Sequence, residues 1–361
     1  MIKKNKTVFV GISGGVDSAV SAKMLKDEGY NVIGVFIRTW TPDFIKCTWQ
    51  DERRDAMRIC AHLNIPFLEC DAENAYKNKV ADYMIEEYKN GRTPNPDVMC
   101  NREVKFGVFW NFAKEKGADY IATGHYAQNN YELKIKNYQL KKGKDDLKDQ
   151  VYFLWTLTQD DLSHILFPVG YLNKTEVRKK ALKYKIPIAT KKDSQGVCFL
   201  GPLDMKDFLS HYLEIKNGDV INNKGEVIGS HGGAIFFTLG ERHGFNIFKH
   251  SKNDQPLYVI AKDIEKNTII VSALLENSSI SLDNQKNFSK FLKDTNWIII
   301  PTEKKKYTAQ IRYHGELLNC HIFGMTSKNV EVVFEKEVVV DKGQSIVIYD
   351  GDICLGGGIV D

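Results

Sequence analysis

The chain of 361 residues is too long for one ordinary domain, so two or three are expected. Hydrophobic residues make up 43% and charged residues 27%, which supports packed cores and excludes general disorder. The formal net charge of +4 falls short of the basic bias of a dedicated nucleic-acid binder, yet it permits an RNA partner. No run reaches the roughly 20 apolar residues of a membrane helix. The start, MIKKNKTVFVGISGG, runs into glycines too early for a signal-peptide core. The expectation is a soluble cytoplasmic protein with no membrane attachment.

Taken in chain order, residues 7–12 (TVFVGI) read as a short apolar strand, followed by a glycine turn at 13–15. Residues 18–28 read as a helix with Val20, Met24 and Leu25 on one face, ended by Gly29. Further strands are expected at 31–37, 65–70 and 119–123, and further helices at 51–64, 73–89 and 101–116. This alternation predicts an α/β domain with a parallel sheet covered on both faces. A polar hairpin is expected from 126 to about 140, a charged loop at 141–150, and helices at 159–166 and 174–184. Beyond residue 200 short strands take over, at 216–221, 234–238, 257–261 and 268–272. A polar linker is expected at 276–290. Alternating strands at 307–313, 317–322, 330–334, 345–349 and 353–359 then suggest a small β-barrel. Three parts are expected: an α/β catalytic domain at 1–200, a small, mostly-β connecting domain at 201–276, and a C-terminal β-barrel at 277–361.

The first strand–helix junction carries the sharpest motif. Gly11, Ile12, Ser13, Gly14, Gly15, Val16, Asp17 and Ser18 join strand to helix. Adjacent glycines let backbone N–H groups converge on an anion, and the following helix adds its positive end. The hydroxyls of Ser13 and Ser18 can donate to phosphate oxygens. No lysine follows the glycines, so the loop is not of the GxxxxGK[ST] kind, nor is it GxGxxG. The string is similar to the SGGxDS signature of ATP pyrophosphatases. A carboxylate such as Asp17 among phosphates calls for a cation, and Mg²⁺ on the ATP phosphates is the natural one. No dedicated protein site for a metal is expected.

Seven cysteines stand at 47, 60, 70, 100, 198, 320 and 354, with no CxxC pair among them. Neither a zinc site nor a secreted disulfide scaffold fits, and free buried thiols are the simple reading. Two have unusual neighbours. Cys100 follows GRTPNPDVM, where Pro94 and Pro96 stiffen an extended loop. It is placed at the start of the next helix, with Asn101 as cap, where a helix N-terminus would favour thiolate. Asp97, three residues earlier, can serve as acid or base. Cys198 lies in KDSQGVCFLG, bracketed by Gly196 and Gly201.

With these strings in hand, the chain resembles the tRNA-specific 2-thiouridylase family over almost its whole length. GISGGVDS (11–18), GRTPNPDVMCNREVKF (91–106), ADYIATGHY (118–126), KDQVYFL (148–154), LFPVG (166–170), KKDSQGVCFLG (191–201), FTLGERHG (237–244), IRY (311–313) and CLGGGIV (354–360) occur in order. The resemblance implies an adenine-nucleotide hydrolase-like first domain. It further implies that ATP adenylates the C2 oxygen of the wobble uridine of tRNA and that sulfur from a cysteine persulfide then displaces AMP, giving 2-thiouridine. By motif position Cys198 carries the persulfide and Cys100 is its partner thiol, with a transient Cys100–Cys198 disulfide. Sulfide is either released between them or the persulfide attacks directly. The resemblance also assigns Asn95, Pro96 and Asp97 to the target base, and Lys148, Asp149, Gln150, Arg312 and Tyr313 to tRNA. Ile37 and Gly124 join the 11–18 loop as ATP contacts. The sulfur is expected from a donor protein, a sulfur-relay or cysteine desulfurase partner. Rival readings are another SGGxDS-type tRNA-modifying enzyme and a non-catalytic tRNA-binding nucleotide sensor.

Overall fold

The structure, a computed structural model, describes residues 6–45, 49–193, 196, 198, 205–249, 255–273, 288–325 and 329–361. Its first sheet is built from β1 (Thr7–Gly11), β2 (Asn31–Arg38), β3 (Phe67–Asp71) and β4 (Tyr120–Ala122). A hairpin follows, β5 (Ala127–Glu132) and β6 (Asn137–Lys142), and then the two-residue β7 (Ile165–Leu166). The strands of the first sheet run parallel in the order β3-β2-β1-β4-β7. Central β1 is apolar throughout because both its faces are covered: Val8, Phe9 and Val10 are at most 1% exposed. Helices α1 (Val16–Asp27) and α2 (Trp49–Leu63) contribute to the core on one side. Chain order along the sheet reverses between β1 and β4, so the crevice beyond their C-terminal ends is the expected ligand position in such a sheet.

The second sheet holds β8 (Gly218–Ile221), β9 (Val227–His231), β10 (Phe245–Ile247), β11 (Tyr258–Asp263) and β12 (Thr268–Ser272), ordered β10-β9-β8-β12-β11. The third holds β13 (Ser289–Trp297), β14 (Lys306–Gln310), β15 (Leu318–Phe323), β16 (Val330–Phe334), β17 (Ser345–Asp350) and β18 (Ile353–Val360). Pairing of β13 with both β16 and β18 closes this sheet into a barrel. The hairpin β5–β6 does not stand alone. It extends the barrel sheet through Cys354↔Leu140 and Ile353↔Lys141.

Several expected elements change. Residues 159–166 split into a helix, Gln159–His164, begun by a Thr158–Asp161 capping box, and the edge strand β7, because Ile165 turns extended and pairs with β4. The expected strand at 234–238 is a short 3₁₀ turn, Ala234–Phe236, whose first N–H bonds Asn267 Oδ1 instead of a neighbouring strand. The polar linker at 276–290 lies largely outside the described residues, but its end belongs to β13. The strand expected at 307–313 stops at Gln310, so Arg312 and Tyr313 stand on the turn beyond it.

The three sheet-bearing parts of the chain meet at a buried ion pair. Lys262 Nζ lies 2.6 Å from Asp341 Oδ2, with side chains 8% and 4% exposed. The Thr93 hydroxyl donates to the same carboxylate oxygen at 2.9 Å, and Lys262 also donates to the Phe237 carbonyl at 2.9 Å. The Thr93 N–H donates to the Lys342 carbonyl at 2.7 Å. This junction therefore anchors the chain immediately before Pro94-Asn95-Pro96-Asp97.

Candidate active site

The glycine loop occupies the crevice at the reversal of strand order. Gly11 ends β1, Ile12 is buried and donates its N–H to the Val35 carbonyl at 2.8 Å, and Gly15 caps α1 without any side-chain hydrogen bond. The first amides of α1 thus lack a side-chain acceptor, as an anion site requires. Gly14 has φ +70°, and a Cβ there would meet the Glu52 carbonyl oxygen at 2.8 Å, so only glycine fits. Ser18 Oγ donates to the Gly15 carbonyl at 3.1 Å and accepts the Ser13 N–H at 3.3 Å, fixing the turn. Val16 is buried beneath it. Gly124, just past β4, packs so closely that a Cβ would lie 2.7 Å from the Ser18 nitrogen. Ile37, 7% exposed on β2, has its Cδ1 3.7 Å from where a Gly11 Cβ would stand. The eight loop residues, Gly124 and Ile37 are thereby brought together.

Asp17 already has partners. Lys174 Nζ reaches its two oxygens at 2.7 and 2.8 Å, and the Tyr126 hydroxyl donates to it at 2.9 Å. Lys174 also pairs with Asp193 at 2.8 Å, and Asp193 binds Lys148 at 2.9 Å and Arg178 at 2.5 Å. Burial would raise the Asp193 carboxyl, but Lys174 and Lys148 hold it down at about 2. Among the described residues no three His, Cys, Asp or Glu side chains cluster as a metal site.

The sulfur centre is built on one continuous helical stretch, 96–115. Asn95 caps it by accepting the Asp97 and Val98 N–H groups at 3.1 and 3.2 Å, with Pro96 at the first helical position. The helix therefore begins before Cys100, which corrects the expectation that Asn101 caps it there. Asn101 instead donates to the Phe153 carbonyl at 3.1 Å. Cys100 is 0% exposed, and its Sγ stands 3.5 Å from Cys198 Sγ, although the two are 98 positions apart in sequence. Both are free thiols in van der Waals contact. Asp97 Oδ1 accepts the Cys198 N–H at 3.0 Å, and the Tyr76 hydroxyl donates to the Cys198 carbonyl at 2.8 Å. Burial pushes the Cys100 thiol well above its ordinary range, against the expected lowering at a helix start. Cys198 moves the other way: the hydrogen bond from Cys100 lowers it, burial opposes, and the Lys105 ammonium lowers it further. Of the two thiols, Cys198 is therefore the more acidic. Burial raises the Asp97 carboxyl, opposed by the Cys198 N–H and by Lys105.

The residues expected to contact tRNA divide. Lys148 is paired with Asp193, Asp149 accepts the Gly143 N–H at 2.8 Å, and Gln150 accepts the Tyr126 N–H at 3.1 Å. These three side chains hold the 143–150 loop in place. Arg312 is exposed, whereas Tyr313 is half-buried with its ring 4.4 Å from that of Phe153. Burial, and then the carboxylates of Asp149 and Asp97, push the Tyr313 phenol up to about 12. Arg312-Tyr313 of the barrel thus approaches the Asn95–Asp97 loop of the first sheet's domain.

Family models match in three successive stretches, "tRNA methyl transferase HUP domain" at 6–202, "tRNA methyl transferase PRC-barrel domain" at 206–273 and "Aminomethyltransferase beta-barrel domain" at 289–360. The chain is 42% identical to the tRNA-specific 2-thiouridylase of Halalkalibacterium halodurans, over 98% of this chain and 94% of that protein. It is equally similar, at 42% and the same coverage, to that of Geobacillus thermodenitrificans, and 41% identical to that of Bacillus subtilis. The chain belongs to the tRNA-specific 2-thiouridylase family.

Two polar residues of this thiouridylase-family site went unseen in the sequence reading. Lys174 and Asp193 bridge the glycine loop to the segment carrying Cys198. Lys174 follows the helix cap Asn173, which accepts the Glu176 N–H at 2.9 Å, and nothing local distinguishes its ammonium from the neighbouring lysines. A third, Lys105, lies within a matched string but carries no signal of its own beyond its spacing from Cys100.

Proposed function

We propose that the chain is an ATP-dependent tRNA uridine 2-sulfurtransferase acting in the cytoplasm. The observation that carries this reading is the free Cys100–Cys198 pair at 3.5 Å, with Asp97 fixing the Cys198 backbone, in the same domain as the glycine loop. Asp193, tied through Lys174 to Asp17, is five residues from Cys198. A chain of that length spans at most about 17 Å, which keeps the sulfur pair within reach of the nucleotide loop.

In this reading the amides of Ser13–Asp17 and the start of α1 hold the phosphates of ATP, with Gly124 and Ile37 lining the nucleotide. The uridine O2 attacks the α-phosphorus, the bond to pyrophosphate breaks, and the N3 proton is lost. The oxygen becomes part of an AMP ester that leaves readily. Asn95, Pro96 and Asp97, with Tyr313 beside them, receive the extruded base, since chemistry on a stacked base requires it to leave the stack. Exposed Arg312 meets tRNA phosphate. Lys148, Asp149 and Gln150 shape the bordering loop. Mg²⁺ would be held by the ATP phosphates with Asp17 nearby, supplying charge neutralisation at the phosphates.

Cys198 receives a persulfide sulfur from a donor protein of the sulfur-relay or cysteine desulfurase class. Two balanced routes follow. In one, the Cys100 thiol passes its proton to the departing sulfur as its Sγ attacks Cys198 Sγ, forming the Cys100–Cys198 disulfide and releasing hydrosulfide, which attacks C2 and expels AMP. In the other, the terminal persulfide sulfur attacks C2 and expels AMP, and Cys100 then attacks Cys198 Sγ to free the thiouridine. Both end in a disulfide that two electrons from a thiol reductant reopen. No helix among the described residues is long and apolar enough to cross a membrane.

The test is nucleoside mass spectrometry of unmodified tRNA incubated with the protein, ATP, Mg²⁺ and a persulfide source. The expected product is 2-thiouridine at the wobble position, with one AMP and one pyrophosphate per thiolation. A 4-thiouridine or lysidine product would transfer the chain to another SGGxDS-type reaction. RNA binding without AMP formation would make it a nucleotide sensor.

A further inference from the structure

Residues Cys100–Val108 form a π-helix, an element that is rare and concentrated at functional sites. In an α-helix, residues five apart stand about 140° around the axis from each other. A π-helix bonds each N–H to the carbonyl five residues back and so stacks such residues on one face. The register is visible here: the Phe109 N–H bonds the Val104 carbonyl, and a Cβ on Gly107 would lie 2.9 Å from the Arg102 carbonyl oxygen. The consequence for the site is that Lys105 rises on the face of Cys100, half-buried, and hydrogen-bonds the Cys198 sulfur.

We propose that Lys105 is the anion-holding residue of the sulfur centre: its ammonium keeps the Cys198 sulfur negative and presents the same charge to the terminal sulfur of a persulfide carried there. The inference deepens the thiolation reading and rests on it. Among the described residues, Lys105 is the cation that acts on Cys198. Cys100 and Asp97 stand on the same helical stretch, Tyr76 comes from the preceding helix, and His125, which feels Lys105, is kept neutral by burial and by that ammonium. The Asp97 carboxylate disfavours a second negative charge, and the Tyr76 hydroxyl is engaged by the Cys198 carbonyl. Without Lys105, an anion on Cys198 would keep, among the described residues, the hydrogen bond from Cys100 but lose its cation.

The test reads thiol chemistry without tRNA or ATP. Reduced wild-type protein and Lys105→Met, Lys105→Gln and Lys105→Arg variants are alkylated with iodoacetamide across a pH series, and modification of the Cys198 peptide is followed by mass spectrometry. For Lys105→Met and Lys105→Gln the midpoint is expected to move up by about one pH unit. At a pH below both midpoints the thiolate fraction then falls about tenfold, partly offset by the greater nucleophilicity of a more basic thiolate, so alkylation there slows about three- to fourfold. Lys105→Arg restores the wild-type midpoint. An unchanged midpoint in a folded Lys105→Met or Lys105→Gln protein overturns the proposal, as does an Arg variant that behaves like Gln. A Lys105-dependent midpoint in a protein that makes no 2-thiouridine would support the anion site while overturning the thiolation reading.

Discussion

Replacing Cys100 with serine is expected to lower 2-thiouridine formation by about three orders of magnitude or more, the scale seen when a nucleophile is removed from a site that otherwise stays assembled. Serine nearly preserves the volume of a side chain that is 0% exposed, so the fold tolerates the change. What is lost is exchange: a hydroxyl cannot attack a persulfide sulfur, and Cys100 is the thiol standing 3.5 Å from Cys198. Adenylation belongs to the glycine loop and should survive, so the variant should release about one equivalent of pyrophosphate and then stall. Quantifying pyrophosphate and nucleoside in the same reaction checks this. Wild-type yield of 2-thiouridine from Cys100→Ser would remove the second thiol from the scheme.

Lys262→Met is expected to destabilise the assembled protein by about 3–5 kcal/mol, the cost of leaving a buried carboxylate without its cation. Asp341 would keep the Thr93 hydroxyl at 2.9 Å and lose the ammonium at 2.6 Å. The damage should concentrate where the three sheet-bearing parts meet, read by hydrogen exchange at 91–95, 237–241 and 338–343. Removing both charges, as Lys262→Met with Asp341→Leu, should recover part of the loss. The recovery is incomplete because the Thr93 hydroxyl and Phe237 carbonyl then lose partners. Thiolation should fall with the junction, since Thr93 directly precedes the Asn95–Asp97 loop. A Lys262→Met protein with wild-type unfolding temperature and exchange would show that the pair contributes nothing to holding the domains together.

The parallel sheet was legible because its central strands are buried on both faces and read as unbroken apolar runs, TVFVG and NVIGVFIR. The glycine loop and both reactive cysteines were legible as strings. Shorter and longer-range features were not. β7 is two residues long and leaves no period to detect. β13 was hidden because Leu292 is its one deeply buried residue and a bulge between Lys293 and Asn296 breaks its alternation. The hairpin β5–β6 was visible, but its docking on β18 is a pairing between residues more than 200 positions apart. Cys100 was misplaced at a helix start because the cap is Asn95, so burial rather than the helix end sets its acidity. The π register that turns Lys105 toward the sulfurs has no compositional signature. The Asp17–Lys174–Asp193 ladder depends on contacts across 157 positions, which no local pattern reports.

The relay itself is tested most directly by loading Cys198 with a ³⁴S-labelled terminal sulfur and running a single turnover on unmodified tRNA with ATP and no added reductant. The expected result is 2-thiouridine carrying ³⁴S together with one Cys100–Cys198 cross-linked peptide per modified base. Unlabelled 2-thiouridine, or labelled product with both thiols left free, would contradict sulfur transfer through this pair.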